Sequence, residues 1–378
     1  MSLAPALPAT VRAVLEPVLG PVAVSMGERL TSSERNLVVR AVARDAGGRD
    51  HPLVVKMAVG AGDGSVREEA ALLTLAAHRV PNVVRVLATG SVPPLLILDD
   101  LGRSPTVADR LLGTDPEAAR AAVIAWAEAL ASLHGATTGL RTTFADGLAA
   151  RSPLGAPNLD TSAETVAEAI GTLRRVLPRF DVPLPAAAVD ELRAIPPALD
   201  VAGGGPGAIT PGDTCPSNAV ETADGMTLID FEGAEFRHVA WDAAYLRVPW
   251  PSCWCSWRLP AAVAAGALDR WRGALAPSVP YVASAAFDLD LIKAAFAWVF
   301  ISAGWFLGPA LDGDPPPPDP ARRALVPRRR ELLAHRLRWV AEQADSPLPA
   351  LRELAGALGE ATRRRWGEQP LPLAPAFR

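Results

Sequence analysis

The sequence predicts an α+β protein of two lobes: a β-rich N-terminal lobe over 1–100 and a larger, mainly helical C-terminal lobe over 101–378. Three observations carry this expectation. β-branched runs punctuated by turn residues crowd the chain before Asp100. Long segments with apolar residues at helical spacing dominate the chain beyond it. A length of 378 residues is also enough for two units with a sizeable core. Hydrophobic content of 49% with 21% charged residues belongs to an ordinary globular chain and excludes a disordered one.

In order along the chain, "NLVVRAVA" and "HPLVVKMAV" read as strands joined by the turn-rich "RDAGGRD", an expected hairpin. "SVREEAALLTLAAH" has helical spacing, with Ser65 as the expected N-cap. "VVRVLATG" and "PPLLILDDLG" supply two more strands. Then the character changes. "DPEAARAAVIAWAEALASLHG" is an amphipathic helix opened by Asp115 and Pro116 in the N-cap and N1 roles. Further helices with many prolines fill 140–200, and 210–232 holds two short strands. The remainder is helical, interrupted by "DGDPPPPDP", a stiff polyproline connector. Residues 294–311 carry no charge over 18 positions, the threshold length for a membrane span. Gly304, Gly308, Pro309 and Ser302 favour a buried core helix instead, so no membrane association is expected.

The net charge of −4 gives no reason to expect a nucleic-acid partner. The charge is unevenly spread, with 12 Arg against 6 acids from Ala321 onward. Runs such as 328–330 and 363–365 read as solvated helix faces. The three cysteines, Cys215, Cys253 and Cys255, include no Cys/His set at zinc spacing, and Cys253 and Cys255 are too close to bridge each other easily. A reduced, cytoplasmic setting is the plain expectation. The N-terminus lacks the basic start and apolar core of an export signal. Composition leaves monomer and homodimer both open.

Two glycine-rich segments, "GAGDG" and "GGGPG", lack both the Walker lysine and the dinucleotide-binding spacing, and read as loops. Lys56 is different. It sits among Leu53, Val54, Val55 and Met57 in a chain with only two lysines. A lysine there either snorkels to an edge or meets a need that arginine does not, such as a compact ammonium against phosphates in a narrow cleft. Glu68 and Glu69, in the following helix, are candidate carboxylate partners. In "TPGDTCPSNAVETADGMTLIDFE", Asp213 and Asn218 share a tight loop and Asp230 ends a short strand. An aspartate with an asparagine carbonyl offers the hard oxygens that magnesium prefers. Asp and Asn are also the commonest turn residues, so taken alone the segment is equally an Asx-turn.

The set decides between these readings. A strand Lys, a helix Glu, a D-x-x-x-x-N loop and a strand-terminal Asp-Phe occur in the order that a protein kinase-like fold requires. With these residues the chain resembles the aminoglycoside phosphotransferase and choline kinase-like family, from about Arg29 to Leu246. "PGDTCPSN" and "LIDFE" stand for the family's H-G-D-x-x-x-x-N and I-D-[WF]-[ED], "LLILDDLG" for its hinge, "LASLHG" for the end of its long helix, and "VAWDAAYL" for a later Asp-containing element.

The resemblance implies ATP and Mg²⁺ as cofactors and transfer of the γ-phosphoryl group to a hydroxyl of a small-molecule alcohol, such as an antibiotic, sugar or amino alcohol. By position, Asp213 would orient that hydroxyl, and Asn218 and Asp230 would bind the metal. Lys56 would hold the α- and β-phosphates with Glu68 as its partner, preferred over Glu69 because Glu68, Leu72 and Leu75 match the family helix. The backbones of Asp99 and Leu101 would meet adenine, and the loop from Ser33 to Asn36 would cover the phosphates. His134 and Asp242 would support the fold, Asp242 by capping a helix and bracing the catalytic loop. Two departures stand out. Pro211 replaces the family histidine, removing a side-chain anchor while fixing φ. Gly212, as in the family, stands where protein kinases carry a regulatory arginine. The rival reading is a pseudokinase, a nucleotide-binding or regulatory module without turnover. The tryptophans of "VPWPSCWCSWRLP" are core residues or the wall of an apolar or sugar-stacking pocket, which with the distal arginines turns the expectation away from aminoglycosides.

Overall fold

The computed structural model describes residues 7–32, 36–59, 63–152, 158–250, 252–253, 255–316 and 325–378. A helix not expected from the sequence, α1 (Leu7–Leu19), comes first, followed by the strand β1 (Val22–Ser32). The expected hairpin is β2 (Asn36–Asp45) with β3 (Asp50–Ala58), then α2 (Gly64–Ala77), β4 (Val86–Ser91) and β5 (Pro94–Asp99). These strands form one antiparallel sheet in the order β1-β2-β3-β5-β4.

Side chains alternate across a strand, and β3 uses both faces. Leu53, Val55 and Met57 pack with Leu95 and Ile97 of β5 against Leu7, Val11 and Leu15 of α1. Lys56 therefore faces the opposite side, where α2 lies. The lysine that looked misplaced in an apolar run is simply on the other face. Asp63, not Ser65, occupies the N-cap position of α2, and it makes no side-chain cap hydrogen bond.

A second unit of helices comes next: α3 (Val107–Leu112), α4 (Pro116–Thr137), α5 (Arg141–Ala149), α6 (Ser162–Val176) and α7 (Ala186–Ala198). As expected, Asp115 caps α4, accepting from the Glu117 and Ala118 N–H groups at 3.0 Å each. Two small antiparallel sheets succeed these helices. β6 (Gly207–Thr210) pairs with β9 (Glu235–His238), and β7 (Ala219–Thr222) pairs with β8 (Gly225–Leu228). The short α8 (Ala240–Ala243) leads on to α9 (Ala261–Leu275), α10 (Ala285–Leu311), α11 (Arg329–Ala341) and α12 (Pro349–Trp366).

The apolar run at 294–311 is the C-terminal part of α10. That helix is long and apolar enough to cross a membrane by length and composition, but 72% of its most apolar window is buried inside the protein. Trp126, Trp241, Trp250, Trp257 and Trp271 fill the core around it. Trp250 and Trp257 are thus core residues, and Trp254 lies outside the described residues. The arginines at 363–365 lie on an exposed face of α12, where Arg363 and Arg364 pair with Glu360. The two units meet where Val84 N–H donates to Leu228 O at 3.0 Å and Leu228 N–H donates to Asn82 O at 2.8 Å.

Candidate active site

The site forms where the inner face of the first sheet meets the loops of the two small sheets. Lys56 Nζ lies 2.6 Å from Glu68 Oε2, 2.6 Å from Asp230 Oδ1 and 3.7 Å from Glu232 Oε2. Glu69 turns away to Arg151 at 3.0 Å, because neighbouring helix positions face different directions. Burial alone would lower the Lys56 pKa, but the Glu68 and Asp230 carboxylates outweigh it and hold the ammonium above the usual lysine range. Burial pushes Glu68 up to about 7, against the pull of Lys56 and with the Asp230 charge adding to the rise. The two shifts are not mirror images, since Glu68 is 1% exposed and faces a second carboxylate.

Asp230 lies two residues beyond the end of β8 rather than within it, and its backbone is left-handed with φ of 65°. Such a conformation is uncommon for a residue with a side chain, Asp and Asn tolerating it best. It turns the carboxylate back toward Lys56.

Asp213 sits in the loop after β6, half-buried, and accepts a hydrogen bond from Ser252 Oγ at 2.6 Å. Burial raises its pKa; the Ser252 bond opposes this, and the Asp230 and Glu232 charges add to it. Asn218 Nδ2 donates to the Asp213 backbone carbonyl at 3.1 Å, closing the loop on itself. Ile229 N–H donates to Asn218 O at 2.9 Å, which brings Asn218 beside the residue preceding Asp230. With its amide nitrogen committed, Asn218 presents its Oδ1 as the donor oxygen. That oxygen and the Asp230 carboxylate are hard oxygens of the type a divalent cation takes.

Of the other expected residues, Asn36 opens β2, and its Nδ2 donates to Glu232 Oε2 at 2.7 Å, so it reaches the site through that carboxylate. Ser33 lies outside the described residues. Asp99 ends β5, its N–H donating to Arg85 O at 3.0 Å and its carboxylate pairing with Arg85 at 2.7 Å. Leu101 stands two residues beyond the end of β5, at the junction of the two units.

Beneath the loop lies a second charged network. Trp271 Nε1–H donates to His134 Nδ1 at 3.2 Å, which leaves the proton on Nε2 to bond Asp242 Oδ2 at 3.0 Å. Arg237 donates to Asp242 Oδ1 at 2.8 Å, to Glu235 at 2.9 Å and to the Gly212 carbonyl at 3.2 Å. Asp242 lies inside α8 rather than capping it, so it braces the loop through Arg237. Burial would raise the Asp242 carboxyl, but Arg237 and His134 outweigh it and hold it below its usual range. Gly212 has φ of 82°, and a Cβ there would stand 1.8 Å from the Gly233 carbonyl oxygen. Only glycine fits.

Arg237, Ser252, Tyr245, Trp298 and Trp305 were not expected at the site from the sequence. An arginine inside the apolar stretch "EFRHVAW" was the available signal for the first. Tyr245 bonds Ser252 Oγ at 2.8 Å. Trp298 and the 41% exposed Trp305 line, with Asp213 and Glu232, a cleft of about 710 Å³. That size suits a small-molecule ligand.

Residues 27–278 match the phosphotransferase enzyme family. The chain belongs to that family. No curated protein matches it in sequence. Among solved structures, the choline/ethanolamine kinase family protein of Mesorhizobium loti superposes with a TM-score of 0.50 at 17% identity, over 91% of this chain and 99% of the other. The macrolide 2′-phosphotransferase of Brachybacterium faecium gives 0.46 at 17%, over 85% and 96%. A putative fructosamine-3-kinase of Thermobifida fusca gives 0.44 at 21%, over 80% and 95%. The fold of this phosphotransferase is protein kinase-like, with an antiparallel sheet in its N-terminal part and helices through most of the rest.

Proposed function

We propose that the protein transfers the γ-phosphoryl group of ATP to a hydroxyl of a small molecule. The observation that carries this is the convergence of Lys56, Glu68 and Asp230 within 2.6 Å contacts, from three separate elements, beside the loop of Asp213 and Asn218. In this reading Glu68 fixes the Lys56 ammonium, which moves from Asp230 to the α- and β-phosphates when nucleotide enters. Asn218 and Asp230 would hold Mg²⁺, which supplies neutralisation of phosphate charge when bound. Asp213 accepts the hydrogen bond of the acceptor hydroxyl and aligns it with the γ-phosphorus, and the backbones of Asp99 and Leu101 meet the adenine edge. Little covalent work falls to the protein, so positioning and charge carry the rate. A cytoplasmic location, where ATP is plentiful, fits this reaction.

The cleft joins Asp213 and Glu232 to Trp298 and the 41% exposed Trp305. This supports an alcohol with a flat or apolar surface that stacks on tryptophan while presenting its hydroxyl to Asp213. The test is magnesium-dependent conversion of ATP to ADP across a library of alcohols, with Asp213→Ala as control. Full turnover in that variant on an identified acceptor sinks the assignment.

A further inference from the structure

The three cysteines, scattered in sequence, meet directly behind the catalytic loop. Cys215 stands between Asp213 and Asn218, is 3% exposed, and is joined by a disulfide to Cys253, 38 residues later, with Cα atoms 5.4 Å apart. That Cα separation suits a bridge. The sulfur of the buried Cys255 lies 3.8 Å from that of Cys215 and 2.6 Å from that of Cys253. The spacing sets Cys253 and Cys255 aside as unable to bridge each other easily, and the fold pairs Cys253 with Cys215 instead.

The bridge has a chemical consequence through its neighbour. Ser252 precedes Cys253, and its hydroxyl donates to Asp213 Oδ1 at 2.6 Å while meeting Tyr245 OH at 2.8 Å. Asp213 precedes Thr214 and Cys215. The disulfide and the Ser252–Asp213 hydrogen bond thus close a small ring, which pins an alcohol of the protein itself on the carboxylate that an incoming alcohol needs. A hydroxyl held this way competes at high effective concentration with a diffusing one.

We propose that the Cys215–Cys253 disulfide is a reversible redox clamp, which keeps Ser252 on Asp213 Oδ1 and withholds that oxygen from the acceptor until the bridge is reduced. The inference rests on the proposed phosphotransfer, in which Asp213 receives the acceptor hydroxyl. The reductant is a low-molecular-weight thiol. One thiolate attacks a bridge sulfur and forms a mixed disulfide, releasing the other cysteine as a thiolate that takes up a proton. A second thiol resolves the mixed disulfide. In total two R–SH give R–S–S–R, and Cys215 and Cys253 each end as a thiol. The Ser252 segment is then held by non-covalent contacts, and an acceptor alcohol displaces its hydroxyl.

The test uses the full-length protein, oxidised with diamide or reduced with dithiothreitol. N-ethylmaleimide labelling after denaturation, with mass spectrometry, is expected to find one adduct and a Cys215–Cys253-linked peptide in the oxidised form, and three adducts after reduction. Reduction is expected to speed hydrogen exchange across 249–257 and to raise magnesium-dependent ADP release about 10-fold, the scale of one charge-assisted hydrogen bond. Cys253→Ser is expected to show neither response to oxidant. Three adducts in diamide, a Cys253–Cys255 bridge instead, or a reduction that changes neither exchange nor ADP release would each overturn the clamp. If exchange responds but neither form releases ADP, the clamp on the loop stands and the phosphotransfer reading falls.

Discussion

Two clusters of buried charge lie beside the Asp213 loop, and they differ in how exposed their members are. In the Arg237–Asp242–His134 network every residue is at 5% side-chain exposure or less, and Trp271 donates to His134. In the Lys56–Glu68–Asp230 cluster, Glu68 is 1% exposed, whereas Asp230 is 39% exposed. The same residue types therefore serve two ends. A closed network fixes a backbone. In the proposed reaction, a cluster with more acid than base keeps in place a cation that changes partners.

Substitutions on the two sides should separate these roles. On the open side, Asp213→Ala should lower phosphotransfer about 10²- to 10⁴-fold while nucleotide affinity, measured by calorimetry, changes little. On the closed side, Arg237→Met strands Asp242 and Glu235 without their cation, and should destabilise the protein by about 3–5 kcal/mol in urea unfolding. Comparable stability in that variant would show that the network is not what holds the loop. Lys56→Met should cost about 10²-fold in turnover. By leaving the 1% exposed Glu68 without its ammonium, it should also lower the unfolding midpoint, by less than Arg237→Met because Asp230 is 39% exposed. The smallest effect concerns pH. Glu68 is raised from 4.5 to about 7, so between those values the folded state binds more protons than the unfolded one. Its contribution to stability therefore falls as pH rises through that window. Glu68→Gln should flatten this part of the stability profile, measured by denaturant midpoints at about pH 5 and about pH 7.

The open cluster was largely legible in the sequence, and the closed one was not, for a physical reason. The proposed phosphoryl transfer restricts the residue types it can use, so Lys56, Asp213, Asn218 and Asp230 stand out by type, order and spacing. Choosing Glu68 over Glu69 needed only the phase of a helix. Arg237 bonds Gly212 across 25 residues, and Ser252 reaches Asp213 across 39, contacts that no local pattern encodes. The Cys215–Cys253 bridge belongs with them. At the N-terminus, α1 contains Pro17 and so reads as broken, and β1 is an edge strand of mixed polarity. Neither shows a clean period. Asp230 fell outside its expected strand because its left-handed backbone is set by the site rather than by strand propensity.

The contact between Gly212 and Gly233 bears on which descendants of this chain are reachable. Protein kinases place at the Gly212 position an arginine that reads a phosphorylated loop. Here any side chain at 212 would meet a carbonyl oxygen at 1.8 Å on a backbone already in the glycine region. Acquiring such a reader would require moving the 233 backbone in the same event. No single-residue path leads from this architecture to that form of regulation, and control must enter elsewhere around the loop.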